Sequence, residues 1–363
     1  MAIEQVVVMA GGTAYSGWLS VAITAQWSKS HRSFDIQVTE VGGFGGSIMD
    51  SWPLLPGTPV TVLASGSLLI KGFVVDYAPQ GDANSHTVTI RGEGDSRGYA
   101  DCSCYHPTGQ FEQKSILKIA QDLGGPFGVK VSAAQSAARE AAEIVPWFQI
   151  RRGSSPWAEM MRLLPQRGMV MCGQADGSIA LMRCEKQVHA GGLIQGVNIQ
   201  SMSALWRDKE LYDKYGVTGQ ASTGVEDDDL QVDGEADGPG SLGQWRYAER
   251  VDQAETDKGR AKTHAKWWSL RAAGFSRQAE IVVPGFRDEG GRLWEPGWKV
   301  AVVAPWLKLE QHMMIEKVVF VQNSSEGTIS RLSLVDPRAG GDSGGGGSMP
   351  NLSGGGWNVF GGK

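Results

Sequence analysis

The sequence predicts a mainly β chain with α+β insertions: two similar small β-barrel domains, with an α/β module and a helix-bearing segment between them. Three observations lead there. Apolar and polar residues alternate through short runs near both ends, the period becomes helical in the middle, and one β pattern occurs twice. Fifty glycines among 363 residues suit many short strands joined by tight turns.

Residues 1–105 read as the first barrel. "SVAITAQW", "SFDIQVTEV", "TPVTVLAS", "SLLIKGFVVDY" and "SHTVTIRG" place β-branched residues at alternate positions, with Gly, Pro, Asp and Asn between them. Residues 106–190 read as the α/β module. Within "FEQKSILKIAQDLGG", Ile116, Ile119, Ala120 and Leu123 form one helical stripe ending at Gly124–Gly125. "GVKVSA" reads as a strand. "SSPWAEMMRLLPQRG" reads as a helix capped by Ser154 or Ser155 with Pro156 in its first turn, and "MVMCGQADGSIALMRC" as a hairpin around Asp176–Gly177.

Residues 191–221 and 276–337 read as the second barrel, interrupted by an acidic loop and a helix over 222–275. Ala254, Ala261, Ala265, Trp268 and Ala272 give that helix a narrow face of mostly small residues. Residues 338–363 read as a flexible Gly-rich tail, in which Trp357 and Phe360 are candidates for docking on a neighbouring protein.

The repeat lies in the strands. "PGTPVTV" at 56–62 matches "PGWKVAV" at 296–302, pairing Pro56–Gly57 with Pro296–Gly297 at an offset of 240. "LIKGFVV" matches "MIEKVVF" at an offset of 245, with Ile70 against Ile315, and Val88 and Ile90 fall against Leu332 and Leu334. Trp52 and Trp294 each stand shortly before their Pro-Gly turn. One chain would then carry two similar barrels, and three chains in a ring would present six.

Composition narrows the function. A formal net charge of −5 argues against a protein that grips nucleic acid by neutralising phosphates. The start "MAIEQVVVMAGG" lacks the basic segment and long apolar core of a secretory signal, and no stretch reaches the roughly 18 apolar residues of a membrane helix. Cys102, Cys104, Cys172 and Cys184 form no paired C-x-x-C pattern and read as reduced structural thiols. Asp227, Asp228 and Asp229 lack the spacing of a calcium loop.

The stretch "TIRGEGDSRGYADCSC" clusters Gly92, Gly94 and Gly98 after a strand. A dinucleotide cradle needs G-x-G-x-x-G running directly into a helix; here the spacing is G-x-G-x-x-x-G and Pro107 follows. The glycines read as a strand exit and a chain crossing, with no ligand.

At these residues the chain resembles the baseplate hub proteins of contractile, Mu-type phage tails. The matching residues are Ile90, Arg91, Gly92, Asp101, Cys102 and Ser103, together with the Pro-Gly turns, "ILKIAQDLGGPFGVKV" and "GRLWEPGWKVAVV". The sequence departs from the family in Glu93, in Tyr99–Ala100 and in the Gly-rich tail. The resemblance covers about residues 50–337. It implies a non-enzymatic homotrimer without cofactor or metal, joining a sixfold tail tube to a threefold spike. Wedge proteins would surround it, DNA would pass through its channel unbound, and it would be assembled in the host cytoplasm into the virion's baseplate. Duplication fits that role, because a threefold object meets a sixfold partner when each subunit offers one surface twice.

Other readings are a tail-tip peptidoglycan hydrolase, a carbohydrate-binding tail protein, or the hub of a phage-derived injection machine. A glycosidase needs two carboxylates about 5 to 9.5 Å apart in a cleft. Glu112, Glu140, Glu143 and Glu159 supply carboxylates but no motif. His31, His86, His106, His189, His264 and His312 form no H-E-x-x-H, and G-x-S-x-G is absent. Trp267, Trp268, Trp294, Trp298 and Trp306 could stack sugars, but large aromatics more often anchor cores and subunit interfaces.

Overall fold

Alternating side chains give each strand one face to bury, and short polar turns decide which strands can meet first. The computed structural model describes residues 4–39, 54–82, 86–184, 186–220, 231–240, 243–252 and 256–341. The amino-terminal strands are β1 (Val6–Ala10), β2 (Thr13–Tyr15), β3 (Ser20–Gln26), β4 (Ser33–Thr39), β5 (Pro59–Ala64), β6 (Ser67–Gly81) and β7 (His86–Gly94). Helix α1 (Gly98–Asp101) then leads into the module: β8 (Gln110–Ser115), α2 (Ile116–Gly124), β9 (Val131–Ala133), α3 (Ala138–Ala141), β10 (Ile144–Gln149), α4 (Pro156–Leu163), β11 (Val170–Gly173) and β12 (Ile179–Met182). After it come β13 (Leu193–Ile194), β14 (Ser201–Trp206), β15 (Lys214–Gln220), β16 (Gln231–Asp237), β17 (Tyr247–Val251), α5 (Lys258–Phe275), β18 (Arg277–Pro284), β19 (Lys299–Ala304), β20 (Leu309–Asn323) and β21 (Gly327–Val335).

The two β regions share one thirteen-stranded sheet, in the order β14-β18-β21-β20-β3-β4-β7-β6-β5-β1-β2, with β19 and β13 branching from β20. A single apolar core draws on both regions, from Val6 to Leu334. They are fused edge to edge where β20 pairs with β3.

Within the sheet one ladder occurs twice. Strands β5, β6, β7, β4 and β3 pair in the same antiparallel order as β19, β20, β21, β18 and β14. The long strands β6 and β20 each have 15 residues, and β7 and β21 each have nine. Each long strand is bulged against its partner, at Val75 and at Glu316. Val60 lies opposite Gly72, and its counterpart Val300 lies opposite Met313, so the long strands align at an offset of 241. The sequence match at 245 is therefore corrected: Ile315 corresponds to Val74, and Leu332 corresponds to Ile90. Both corrections are even numbers of residues. An even slip leaves every side chain on its original face, so alternation alone does not detect it.

The module has its own core around Tyr99, Ile116, Ile119, Leu123, Met160 and Leu163. Helix α2 starts at Ile116, where the Ser115 hydroxyl accepts from the Lys118 N–H, and the residues just before it form β8. Helix α4 begins at Pro156 under a Ser155 cap, and β11–β12 is the hairpin around Asp176–Gly177. Strand β15 lies outside the large sheet, between β16 and β17 in a separate three-stranded sheet. Part of the expected acidic loop is thus strand; Ala254 and Asp227 to Asp229 lie outside the described residues. Ala261, Ala265, Trp268 and Ala272 of α5 pack on that small sheet beside Tyr215 and Val217, as the small-residue stripe predicts.

Candidate functional site

The sequence signature forms the crossing between the sheet and the module. Arg91 on β7 is half exposed and donates from Nε to Asp35 Oδ2 at 2.9 Å. Gly92 is buried in the ladder where any side chain would collide with the Phe34 ring. Beyond it the Ser96 hydroxyl donates to the Ser30 carbonyl at 2.7 Å, and Tyr99, fully buried, donates to the Ala120 carbonyl at 3.1 Å. Burial pushes the Tyr99 phenol far up, so it remains a donor. Asp101 ends α1, Cys102 is exposed with a free thiol, and the Ser103 hydroxyl donates to the Gly153 carbonyl at 3.3 Å.

The repeated turns sit in different surroundings. Exposed Pro56 precedes Gly57, whose N–H donates to the Val74 carbonyl at 2.9 Å. Buried Pro296 precedes Gly297, which donates to the Ile315 carbonyl at 2.8 Å, and Trp294 is buried close by. Val74 and Ile315 are the residues that the ladders match, so both turns close on the same position. Trp52, Trp357 and Phe360 lie outside the described residues.

The seam between the two ladders is tied both by strand pairing and by side chains. Strand β20 accepts β19 along Leu309–Met314 and β3 along Lys317–Asn323, both on one edge. Ala25 faces Val318 and Ile23 faces Phe320, all four essentially inaccessible. Buried Arg32 donates to Glu295 Oε2 at 2.6 Å and to the Leu69 carbonyl at 3.1 Å. Arg287 binds Glu4 Oε1 at 2.6 Å, the Ala64 carbonyl at 3.0 Å and the Ser67 hydroxyl at 3.1 Å. Gln26 donates to Glu316 Oε1 at 2.7 Å. Polar groups taken from water keep their stability only when partnered, and each of these guanidiniums takes its carboxylate from the opposite ladder.

Next to the seam, His189 lies between Trp294 and Trp298, with ring centroids 4.8 and 5.0 Å away. Its Nε2 accepts from the Glu295 N–H at 3.2 Å, which leaves Nδ1 as the donor to Asp288 Oδ2 at 2.9 Å. Burial lowers the His189 pKa more than Asp288 raises it, consistent with that neutral ring.

Comparison with known proteins agrees in order along the chain. Residues 5–94 match the family model "Mu phage baseplate assembly protein GpP-like, N-terminal", and residues 99–183 match "Baseplate hub protein gp44-like, second domain". Residues 257–341 match "Mu phage baseplate assembly protein GpP, fourth domain". Baseplate hub protein gp44 of Escherichia phage Mu is 25% identical over 345 residues, spanning 93% of this chain and 89% of its own. Together these matches support a phage baseplate hub or tail protein of the Mu type. Among solved structures, the 43 kDa tail protein of prophage MuSo2 from Shewanella oneidensis has a TM-score of 0.81 at 25% identity, over 93% of this chain and 99% of that one. The tail protein from Neisseria meningitidis MC58 has a TM-score of 0.76 at 17% identity, over 92% of this chain and 97% of that one.

The carboxylates considered for hydrolysis mostly have arginine partners, and Glu140 and Glu143 line one cleft beside α5. Glu140 pairs with Arg183, Glu143 with Arg167, and exposed Glu112 lies on β8. Glu159, wholly buried, is held by Arg151 at 2.9 Å and Arg162 at 2.6 Å. Of the five tryptophans, Trp267, Trp268 and Trp294 are buried, Trp298 is partly buried, and Trp306 is 80% exposed. Among the described residues no group of three or more His, Cys, Asp or Glu gathers to hold a metal. Arg32, Glu295, Arg287 and Glu4 were missed in sequence: their partners are hundreds of positions away, and an isolated charge in a connection looks like a solvated one.

Proposed function

We propose that this baseplate hub acts as a trimeric symmetry adaptor. Each chain offers one tail-tube-like ladder twice, in two barrel-like domains, so three chains in a ring carry six similar surfaces around a channel. One side meets the sixfold tail tube protein and the other the threefold central spike, with wedge proteins around the rim and DNA passing through without specific contacts. Its place is the virion's baseplate, after assembly in the host cytoplasm. The observation that carries this reading is the duplicated ladder with its bulge at the same position in both copies. A heterologous surface repeated within a chain can close into a ring whose apparent symmetry is twice the number of subunits.

The test is the mass of the purified hub, alone and with tube and spike proteins, followed by imaging of the tail tip. A trimer under a sixfold ring is expected. A monomer in every mixture refutes the reading. Channel-facing loops should be acidic or neutral, and a dense basic lining would contradict free passage of DNA.

A further inference from the structure

Several strand edges of the sheet lack a partner strand among the described residues, and two of them are related through the duplicated ladder. Strand β14 closes one end of the sheet and is bonded to β18 alone. Among the described strands, the distal half of β6 from Asp76 onward pairs with β7, because β5 covers the first half. The duplicated ladder says what belongs there. In the second copy, the corresponding half of β20 is covered by β3 of the first. Strand β3 in turn corresponds to β14, since both flank the equivalent strands β4 and β18.

Resting on the trimer reading, we infer that β14 of one copy pairs antiparallel with the distal half of β6 of the next, repeating between chains the β3–β20 seam within each chain. The register is fixed by that seam. Lys317 lies opposite Gln26 and Val319 opposite Thr24. Through the two ladders Lys317 corresponds to Asp76, Val319 to Ala78, Gln26 to Arg207 and Thr24 to Leu205. Arg207 therefore faces Asp76 across the new interface, Trp206 faces Tyr77, Leu205 faces Ala78, Ala204 faces Pro79 and Met202 faces Gly81.

Side-chain chemistry, which played no part in setting this register, agrees with it. Opposite charges meet at Arg207 and Asp76, both exposed in the single chain. An aromatic pair meets at Trp206 and Tyr77. Leu205 is 48% and Trp206 46% exposed on an open strand edge, an arrangement that invites strand addition. Tyr77, Met202 and Ala204 already pack against the shared core, so joining the edges would extend that core around the ring. Pro79 has no N–H to donate, so this ladder carries one hydrogen bond fewer than the internal seam. Pro is tolerated in β6 where its missing N–H points away from β7. The occupant is a second copy of this chain, because pairing of equivalent edges head to tail continues the internal seam and closes only with further copies.

Cysteine pairs read the register directly. Ala78 and Leu205 would form a non-hydrogen-bonded cross-strand pair, whose side chains approach closely enough for a disulfide. In a Cys102→Ser background, Ala78→Cys with Leu205→Cys should give covalent dimers and trimers on a non-reducing gel after mild oxidation. Each single variant, and Ala78→Cys with Ser203→Cys, should stay uncrosslinked. A trimer by mass whose 78–205 pair crosslinks no better than the 78–203 control overturns this register while leaving the trimer reading intact. A chain that is monomeric in every mixture with tube and spike removes both. As a check that leaves the backbone alone, Asp76→Arg or Arg207→Asp should each weaken association roughly two- to fivefold per interface, and the double reversal should restore it. A double variant as weak as the singles overturns the pairing.

Discussion

The two Pro-Gly turns make a controlled experiment inside one molecule. Gly57 has φ of 90° and Gly297 has φ of 86°, so alanine at either position carries the same left-handed backbone strain, about 1 kcal/mol or slightly more. Their surroundings differ. A Cβ on Gly57 meets nothing within 4 Å, whereas one on Gly297 lies 3.1 Å from Trp27 Cδ1 and 3.1 Å from Met182 Cε. The Met182 methyl can swing away, but Trp27 is 1% exposed and wedged in the core. Overpacking of that kind costs about 1–3 kcal/mol. Gly57→Ala should therefore cost about 1 kcal/mol and Gly297→Ala about 2–4 kcal/mol. Thermal unfolding of each variant, followed by circular dichroism beside the parent, should show a fall in Tm for Gly297→Ala at least twice that for Gly57→Ala. Equal shifts would mean that backbone strain alone sets the cost, and that Trp27 does not pack against this turn as described.

Glu295→Gln should destabilise the hub by about 2 kcal/mol in denaturant unfolding. It leaves buried Arg32 without a counter-ion, and the usual cost of a broken buried pair is reduced because Glu295 is partly exposed. Glu326→Gln, in the exposed pair with Arg331, should leave the unfolding midpoint in the same assay essentially unchanged. Burial pushes the Glu159 carboxyl up, but hydrogen bonds from Arg151 and Arg162 and the charge of Arg162 outweigh it and hold the pKa low. Its stabilisation is complete above the ordinary value of 4.5 and is lost as pH falls toward the folded value, so acid unfolding of Glu159→Gln should be flatter below that point. His189 has the same sign for another reason: its folded pKa is lowered by burial, so the unfolded chain takes up the proton first. Stability should decline as pH drops below 6.5, and His189→Gln should remove that part of the slope in pH-dependent melting. Truncation after residue 341 should weaken capture of a baseplate partner if Trp357 and Phe360 dock, and pull-down with and without the tail decides it.

Much of the fold was legible because its signals are local. The cap at Ser155, Pro156 in the first helical turn and the hairpin at Asp176–Gly177 each depend on neighbours within four residues. The resemblance at Arg91, Gly92 and Asp101 to Ser103 likewise rested on one contiguous stretch, which the structure shows as the exit from the sheet. The small sheet of β15, β16 and β17 was not legible, because "QVDGEAD" carries charge at alternate positions and only packing of α5 over Val232 gives it an inside.

By itself the sequence determined where many of the strands and the longer helices form, that a β pattern recurs, and which family the chain resembles, since period, turn chemistry and motif are written in consecutive residues. Tertiary structure alone decided how the two copies meet. Register along a strand is ambiguous to any even slip, and the observed strand pairing, with bulges at Val75 and Glu316 in matching places, fixed the offset. That β20 divides one edge between β19 and β3, and that Arg32 and Arg287 find their carboxylates across the seam, follows from edges and charges far apart in the chain, whose attraction has no trace in local order.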